Sequence, residues 1–555
     1  MAPYTSRSPR ALFVVAIGCQ TAIAAGPYRS HHPAIASFLF ILMTAVGGQQ
    51  GESAAPAAMF TNVTEQCGVA KVVAAHYAKV PKWWLSGMDL VDLDGDGDLD
   101  LHLAGHGCIA AAARNDGSGH FAYVDPALDI PRGVREHHDI PYPGGEIRLA
   151  FDFDEDGKTD ILASWHDGGG VLYLNDSRPG DPPTWNFKRP GVLDHFNRGC
   201  AMADMDRDGI VDYVADAGGH ATRQLLLLFG NGDGTFERRQ LLAGSHEEGG
   251  PICVDIDADG DLDLLVSRRG YHPPGRRVLL NDGKLHFTDA TQRSGLTVDG
   301  GSIHGAADLD RDGDLDLICV EGAKAPFSLA LYLNDGSGRF HRSRTAITGA
   351  ENLRPKSANW GGAVVTDFDN DGLPDVIVNG KYFLAVLRGM EDGRFALANE
   401  DWGLPTGAWS AVDEGLCFGD TDGDGDLDIV ACGRQDTRGQ KGVGHYRNDL
   451  PAHNWLRLRL VGAKGNRSAA GAKIRIYQAG GLDDPERLLW FDQIAIWGRQ
   501  SFHSYYTHCL TERHFGLGRH ATVDLAVEFY PSQKVVQKKD AKANMTLCLS
   551  EEGPR

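Results

Sequence analysis

At 555 residues the chain is too long for one ordinary core, so two or three domains, or one large repeat array, are expected. Its formal charge of -21 argues against nucleic acid as a partner, because phosphate binding wants a basic stripe. The 70 glycines and 25 prolines are too many for a mainly helical protein and suit short strands joined by tight turns.

Residues 1–50 read as a signal or targeting region. Arg7 and Arg10 precede the apolar run 11–17, and Ala22-Ile23-Ala24 offers small residues to a signal peptidase. A second apolar run covers 34–46, which fits a bipartite signal or a start site placed too far upstream. Each run is shorter than the ~18–20 apolar residues that cross a bilayer. No stable membrane span is expected after removal, and the product should be secreted, extracellular, or held in the periplasm or cell envelope.

From there to about residue 452 one pattern dominates. D-x-D-x-D-G-x-x-D begins at Asp92, Asp152, Asp204, Asp255, Asp308, Asp367 and Asp420, at spacings of 60, 52, 51, 53, 59 and 53 residues. The third, fifth and ninth positions are Asp94, Asp96 and Asp100 in the first copy, and Asp154, Asp156 and Asp160 in the second. They are Asp206, Asp208 and Asp212 in the third, and Asp257, Asp259 and Asp263 in the fourth. The remaining copies supply Asp310, Asp312 and Asp316, then Asp369, Asp371 and Asp375, then Asp422, Asp424 and Asp428.

Short apolar stretches flank every cluster, as in Ile252-Cys253-Val254 before and Leu262-Asp263-Leu264-Leu265-Val266 after. Such runs read as buried strands, with the cluster as the turn between them. A second turn recurs downstream, for example Asn334-Asp335-Gly336-Ser337-Gly338 and Asn281-Asp282-Gly283. About four strands per ~50–60 residues is a propeller blade. The last repeat lacks the stretch that resembles Phe287-Thr288-Asp289-Ala290-Thr291, while Phe60-Thr61-Asn62-Val63-Thr64 precedes the first. Residues 60–64 are therefore expected to complete the last blade and remove both sheet edges. The expected fold is all-β, a seven-bladed β-propeller over 51–452 with a small β-domain after it.

Alternating aspartates in a turn point carboxylates at one centre. The glycine allows the sharp bend, the seventh residue offers a carbonyl, and the ninth aspartate offers both oxygens. Six or seven hard oxygens suit calcium, so about seven Ca²⁺ per chain are expected on the 28 aspartates above. Unneutralised, four carboxylates within nine residues would repel one another; seven Ca²⁺ take the formal charge from -21 to -7. The twelfth position, Leu103, Ala163, Ala215 or Val266, is not acidic, and the flanks are strands, so EF-hands are excluded.

These repeats resemble FG-GAP/VCBS repeats, the calcium-bearing blades also seen in integrin α-subunit heads. The resemblance carries the family's calcium ligands onto the four aspartates of each copy.

At 453–549 the pattern changes to alternating apolar and basic residues, as in Trp455-Leu456-Arg457-Leu458-Arg459-Leu460 and Lys473-Ile474-Arg475-Ile476. Half-exposed strands of a small β-domain follow from that alternation, with 550–555 as a tail. Its order of motifs, including Asn466-Arg467-Ser468 and Arg513-His514-Phe515-Gly516-Leu517-Gly518, resembles the ASPIC/UnbV domain that follows such propellers in cartilage acidic protein-like proteins. His514 reads as a hydrogen-bonded turn histidine rather than a catalytic base.

Other chemistry is sparse. No Walker loop, HExxH, GxSxG or dinucleotide fingerprint occurs. His137-His138-Asp139 and Trp165-His166-Asp167 read as loop residues, and the tryptophans as packing. Nine cysteines after Cys19, with no CxxC, argue against zinc; Cys417 and Cys432 are candidates for a disulfide across one hairpin. No catalytic residue is assigned. The expected role is a binding or adhesion module for an extracellular glycan or protein; the alternatives are a lyase or hydrolase of carbohydrate metabolism and an envelope assembly factor.

Overall fold

A computed structural model describes residues 59–553 except 82, 84, 106–109, 125–146, 165–169, 179–180, 182–184, 189–198, 218–223, 244–250, 269–274, 298–300, 322–327, 344–346, 350–359, 381–382, 406–414, 436–438, 451–452, 502–503 and 509–511. The targeting region, His137-His138-Asp139, Trp165-His166-Asp167, Trp84 and Trp409 lie outside the described residues. Residues 57–555 pack as one compact unit.

Nearly everything described is β. Each aspartate cluster joins the first and second strands of an antiparallel meander. In the first copy these are Leu85–Val91 and Asp100–Gly105, followed by Ala111–Asn115 and Phe121–Val124. The second runs Ile147–Phe151, Asp160–Ser164, Gly170–Asn175 and Trp185–Lys188; the fourth and fifth start at Ile252–Val254 and Gly301–Ala307. The sixth, Trp360–Thr366 to Phe395–Leu397, gains Ile347–Thr348 as a fifth strand, parallel to its last. Second strands are buried along their length, with Leu101, Leu103, Leu317 and Ile377 at 0 % exposure, which is why they read as continuous apolar runs and not as alternations. The Asn-Asp-Gly and Gly-Asp-Gly turns join third strands to fourth strands that begin on Phe121, Phe236 and Phe340.

The seventh meander contains Gly415–Gly419, Asp428–Gln435 and Lys441–Asn448, and its outer strand is Phe60–Asn62, in register Phe60 to Asn448. It shares one ten-stranded sheet with the third meander, which starts at Gly199–Ala203. Between them lies a hairpin from the C-terminal region, Ile496–Ser501 with Ser504–His508. Its first strand pairs antiparallel with Gly199–Ala203 and its second parallel with Gly415–Gly419.

The C-terminal region has two further sheets. Asn454–Val461 is flanked by Glu512–Gly518 and, in parallel, Met545–Ser550; Lys473–Gln478 lies between Leu488–Gln493 and Thr522–Glu528, with Val535–Lys542 at the edge. Leu456, Leu458, Leu460, Ile474 and Ile476 are fully or nearly fully buried, as the alternation requires, and pack with Phe515, Val523, Leu525 and Val527.

Two expectations are corrected. An α-helix, Val69–Lys79, follows the Phe60–Asn62 strand; its buried Val69, Val72, Val73, His76 and Tyr77 fall at helical spacing, a signal overlooked beside the stronger strand pattern. The Cys417–Cys432 disulfide does not form: register sets Cys417 opposite Val430 and Cys432 opposite Gly415, and neither is disulfide-bonded. No described helix is long and apolar enough to cross a membrane.

Candidate metal loops

All seven clusters fold onto one hydrogen-bond scheme. The first aspartate accepts the N–H of the sixth-position glycine through Oδ2, at 2.6–3.2 Å in every copy. That glycine has φ of 91–100°, a region that carries strain for any side chain and explains why the position never varies. The fifth aspartate accepts the N–H of the seventh residue through Oδ1, at 2.9–3.2 Å. Five loops also place a non-glycine fourth residue at φ of 55–65°: Glu155, Arg207, Ala258, Arg311 and Asn370.

The ninth aspartate ties loop to sheet. Its Oδ2 accepts the N–H of the second loop residue at 2.8–3.0 Å. Its Oδ1 accepts a third-strand N–H, from Asn115, Asn175, Gly230, Asn281, Asn334, Gly389 or Asn448, at 2.8–3.0 Å. Both oxygens are thus hydrogen-bonded to backbone amides, and each retains one further lone pair.

Carboxylate oxygens within the loops converge. Within Asp92, Asp94 and Asp96, one oxygen from each lies within 4.8 Å of the others, as in Asp152/Asp154/Asp160, Asp204/Asp206/Asp212, Asp255/Asp257/Asp259 and Asp308/Asp310/Asp316. Buried oxygens on Asp152, Asp204, Asp257 and Asp422 have no hydrogen-bond donor. Such orphans are costly unless something positive faces them. Burial and neighbouring aspartates push Asp152 up to about 6, Asp204 to about 7 and Asp308 to about 8. Burial likewise raises the ninth-position groups Asp100 and Asp160 to about 7, and Asp212, Asp263 and Asp316 to about 8. An all-oxygen donor set held by backbone amides, with orphaned inner oxygens, fits a hard divalent cation.

Two arginines missing from the sequence expectations complete the shell. Arg114 meets Asp94 at 2.7 Å and Asp96 at 2.9 Å; Arg388 meets Asp369 at 2.6 Å and Asp371 at 2.9 Å. Each bridges Oδ2 of the third- and fifth-position aspartates, whose Oδ1 atoms accept loop N–H groups. The overlooked signal is an arginine directly before the third-strand residue that caps the ninth aspartate, as in Arg114-Asn115 and Arg388-Gly389. Neighbouring loops are tied too: Arg207 to Asp261 at 2.5 Å, and Asn370 to Asp426 at 2.7 Å.

The C-terminal sheets rest on these loops. Lys473 Nζ stands 2.5 Å from Asp255 Oδ2, and Arg457 Nη2 is 2.5 Å from Asp420 Oδ2. Val211 N–H donates to Gly465 O, Gly518 N–H to Asn370 O, and Asp255 N–H to Gln493 Oε1, each at 3.0 Å. His514 lies in the strand Glu512–Gly518, not in a turn, and its Nε2 meets Asn370 Oδ1 at 2.7 Å. Burial, with Arg457 nearby, lowers it to about 3, so the ring is neutral and Nε2 is the donor. A cavity of about 410 Å³ lies between the inner strand ends and this region. Three of its arginines are already paired: Arg457 with Asp420, Arg459 with Glu512 and Arg513 with Asp492.

Comparison with known proteins agrees with the repeats. An FG-GAP-like repeat profile matches residues 255–319, 322–378 and 367–431. Cartilage acidic protein 1 of Homo sapiens is 24% identical over 291 residues, 49% of this chain and 42% of that protein; the Xenopus tropicalis protein is 24% identical over 265 residues, 44% and 39% respectively. The chain thus matches about two fifths of the length of these curated relatives. Among solved structures, an Agrocybe aegerita lectin recognising non-reducing terminal N-acetylglucosamine aligns with TM-score 0.39 and 20% identity, covering 56% of this chain and 79% of the lectin. A β-fructofuranosidase from Schwanniomyces occidentalis aligns with TM-score 0.26 and 8% identity, covering 64% and 91%.

Proposed function

We propose that this chain, which carries FG-GAP-like repeats and is homologous to cartilage acidic protein 1, is a secreted calcium-stabilised β-propeller that acts as a binding module for a glycan or protein ligand. The seven meanders are its blades, and Phe60–Asn62 is the strand that closes the ring. In each loop the first, third, fifth and ninth aspartates hold one Ca²⁺ on the lone pairs that the backbone amides leave free. The observation that carries the reading is the identical hydrogen-bond scheme of seven loops around convergent carboxylates. Calcium supplies the positive charge that lets buried carboxylates stay ionised; the chain's own residues do the rest. Backbone N–H groups fix the orientation of each aspartate, and Arg114 and Arg388 offset the charge of the third- and fifth-position aspartates in the first and sixth loops. Because such ions bind only the folded chain, they stabilise it by mass action. A rigid ring held this way suits recognition, since it presents loops on a fixed frame.

Elemental analysis after equilibration in calcium buffer tests the metal: about seven ions per chain are expected, and two or fewer would exclude the assignment. A screen of glycans and secreted proteins, run with and without calcium, tests the ligand class. Turnover of a polysaccharide by the well-folded protein would replace the binding reading with an enzymatic one.

A further inference from the structure

The geometry points to a metal-sensitive joint: the loops serve as the docking floor of the C-terminal sheets, so cation loading of the ring holds those sheets in place. This rests on the calcium reading above and goes beyond it by giving the ions a second role.

The placement of the contacts is the argument. Lys473 and Arg457 meet Oδ2 of the first aspartate in the fourth and seventh loops. That oxygen also accepts the N–H of the sixth-position glycine, so the docking contact lands on a group that the loop's own turn holds in place. The joint therefore depends on the same turn whose carboxylates would hold the cation. Other contacts use loop backbone directly: Val211 N–H to Gly465 O, and Gly518 N–H to Asn370 O. Approach is close, since a Cβ on Gly465 would stand 2.0 Å from Gly209 O. These bonds require the loop to keep its turn, with Asn370 at φ 55° and Gly209 at φ 91°.

Two effects oppose each other when the cation leaves. Residues 453–555 carry 15 Lys and Arg against 10 Asp and Glu, whereas 51–452 carry 36 against 65. Charge alone would then draw the two parts closer. Repulsion among four carboxylates in one loop would meanwhile open the turn that presents the docking groups. We expect geometry to win. Hydrogen bonds fail steeply with misalignment, while charges beyond about 8 Å are screened in physiological salt.

Amide hydrogen exchange on the full chain decides it, read beside a direct calcium titration. In excess chelator the Val211 and Gly518 amides should exchange at least about tenfold faster, while amides within Lys473–Gln478 and Asp100–Gly105 stay protected. Calcium bound, but unchanged protection at Val211 and Gly518, would overturn the joint and leave the calcium reading intact. Greater protection in chelator would overturn it in favour of charge attraction. Loss of protection everywhere at once would overturn it too, because the ions would then hold the fold and not the joint. No calcium bound at all would remove both readings.

Discussion

Phe60 faces Asn448 across one antiparallel ladder, although 388 residues separate them in sequence. Met59 and Phe60 are each 3 % exposed, Phe60 N–H donates to Trp402 O at 2.8 Å, and its ring lies 6.2 Å from that of Trp402. A short strand near the beginning therefore supplies the outer edge of the meander that ends at Asn448. Deleting 51–66 should destabilise the chain far more than deleting 1–50. Phe60→Ala alone should cost about 3–5 kcal/mol, as for other large-to-small changes in a core. Urea unfolding of the three variants measures this; equal midpoints for both truncations would show the strand to be dispensable.

The start of the helix offers a second test. Gly68 precedes Val69–Lys79 with φ 89°, and a Cβ there would stand 2.5 Å from Phe121 O. Gly68→Ala combines a left-handed backbone with a clash against main chain that cannot move cheaply. A loss of about 1–3 kcal/mol is expected, read as a lower thermal midpoint. No change would mean that the turn relaxes without cost.

Much of this was legible because the repeat fixes it. A glycine five residues after an aspartate marks a positive-φ bend, and an Asn-Asp-Gly turn marks the next hairpin; both are local rules, and the strands lie where those rules put them. Three aspartates in a loop, such as Asp92, Asp94 and Asp96, come together for the same reason. What stayed hidden is non-local or locally ambiguous. The Val69–Lys79 helix opens with two valines in four residues, which propensity alone assigns to a strand. Arg114 and Arg388 lie about twenty residues from the carboxylates they bridge, with no periodicity to flag them. The use of loop backbone as a floor for Gly465 and Gly518 depends on tertiary placement that no window of sequence contains.

Acidity separates the metal-free chain from the loaded one. Asp212, Asp263 and Asp316 are raised to about 8 by burial, and Asp100 and Asp160 to about 7. A carboxyl raised on folding favours the folded state while protonated. Its contribution is complete below the ordinary value near 4 and is lost as pH rises through 7–8. His445, raised to about 9 beside Asp428, acts in the same direction: its contribution is complete below about 6.5 and fades as pH climbs through 9. In chelator the melting temperature should therefore fall between pH 5 and pH 8, on the order of those titrations. In calcium the ion competes with these protons, so the gap between loaded and metal-free midpoints should widen over the same window. Parallel pH profiles in the two buffers would show that no cation meets these carboxylates.

Asp257 allows the sharpest separation of roles within one loop. Its Oδ1 is buried without a donor, and Asp255 and Asp259 crowd it. Burial, with the Asp255 charge next, raises its pKa. Asp263, six residues on, instead gives both oxygens to the backbone N–H groups of Ile256 and Asn281, at 3.0 and 2.8 Å. Asp257→Asn removes a repelling charge but also a hard anionic donor. It should raise the melting temperature in chelator and lower it in calcium, so that its sign reverses with the buffer. Asp263→Asn keeps one acceptor oxygen but turns an N–H group towards a backbone N–H, leaving a buried donor unpaired. That costs about 1–3 kcal/mol, and the loss should appear in both buffers. Thermal melts of the two variants in each buffer give four midpoints. If Asp257→Asn destabilises equally with and without calcium, the loop is a turn held by hydrogen bonds alone, and its carboxylates serve no cation.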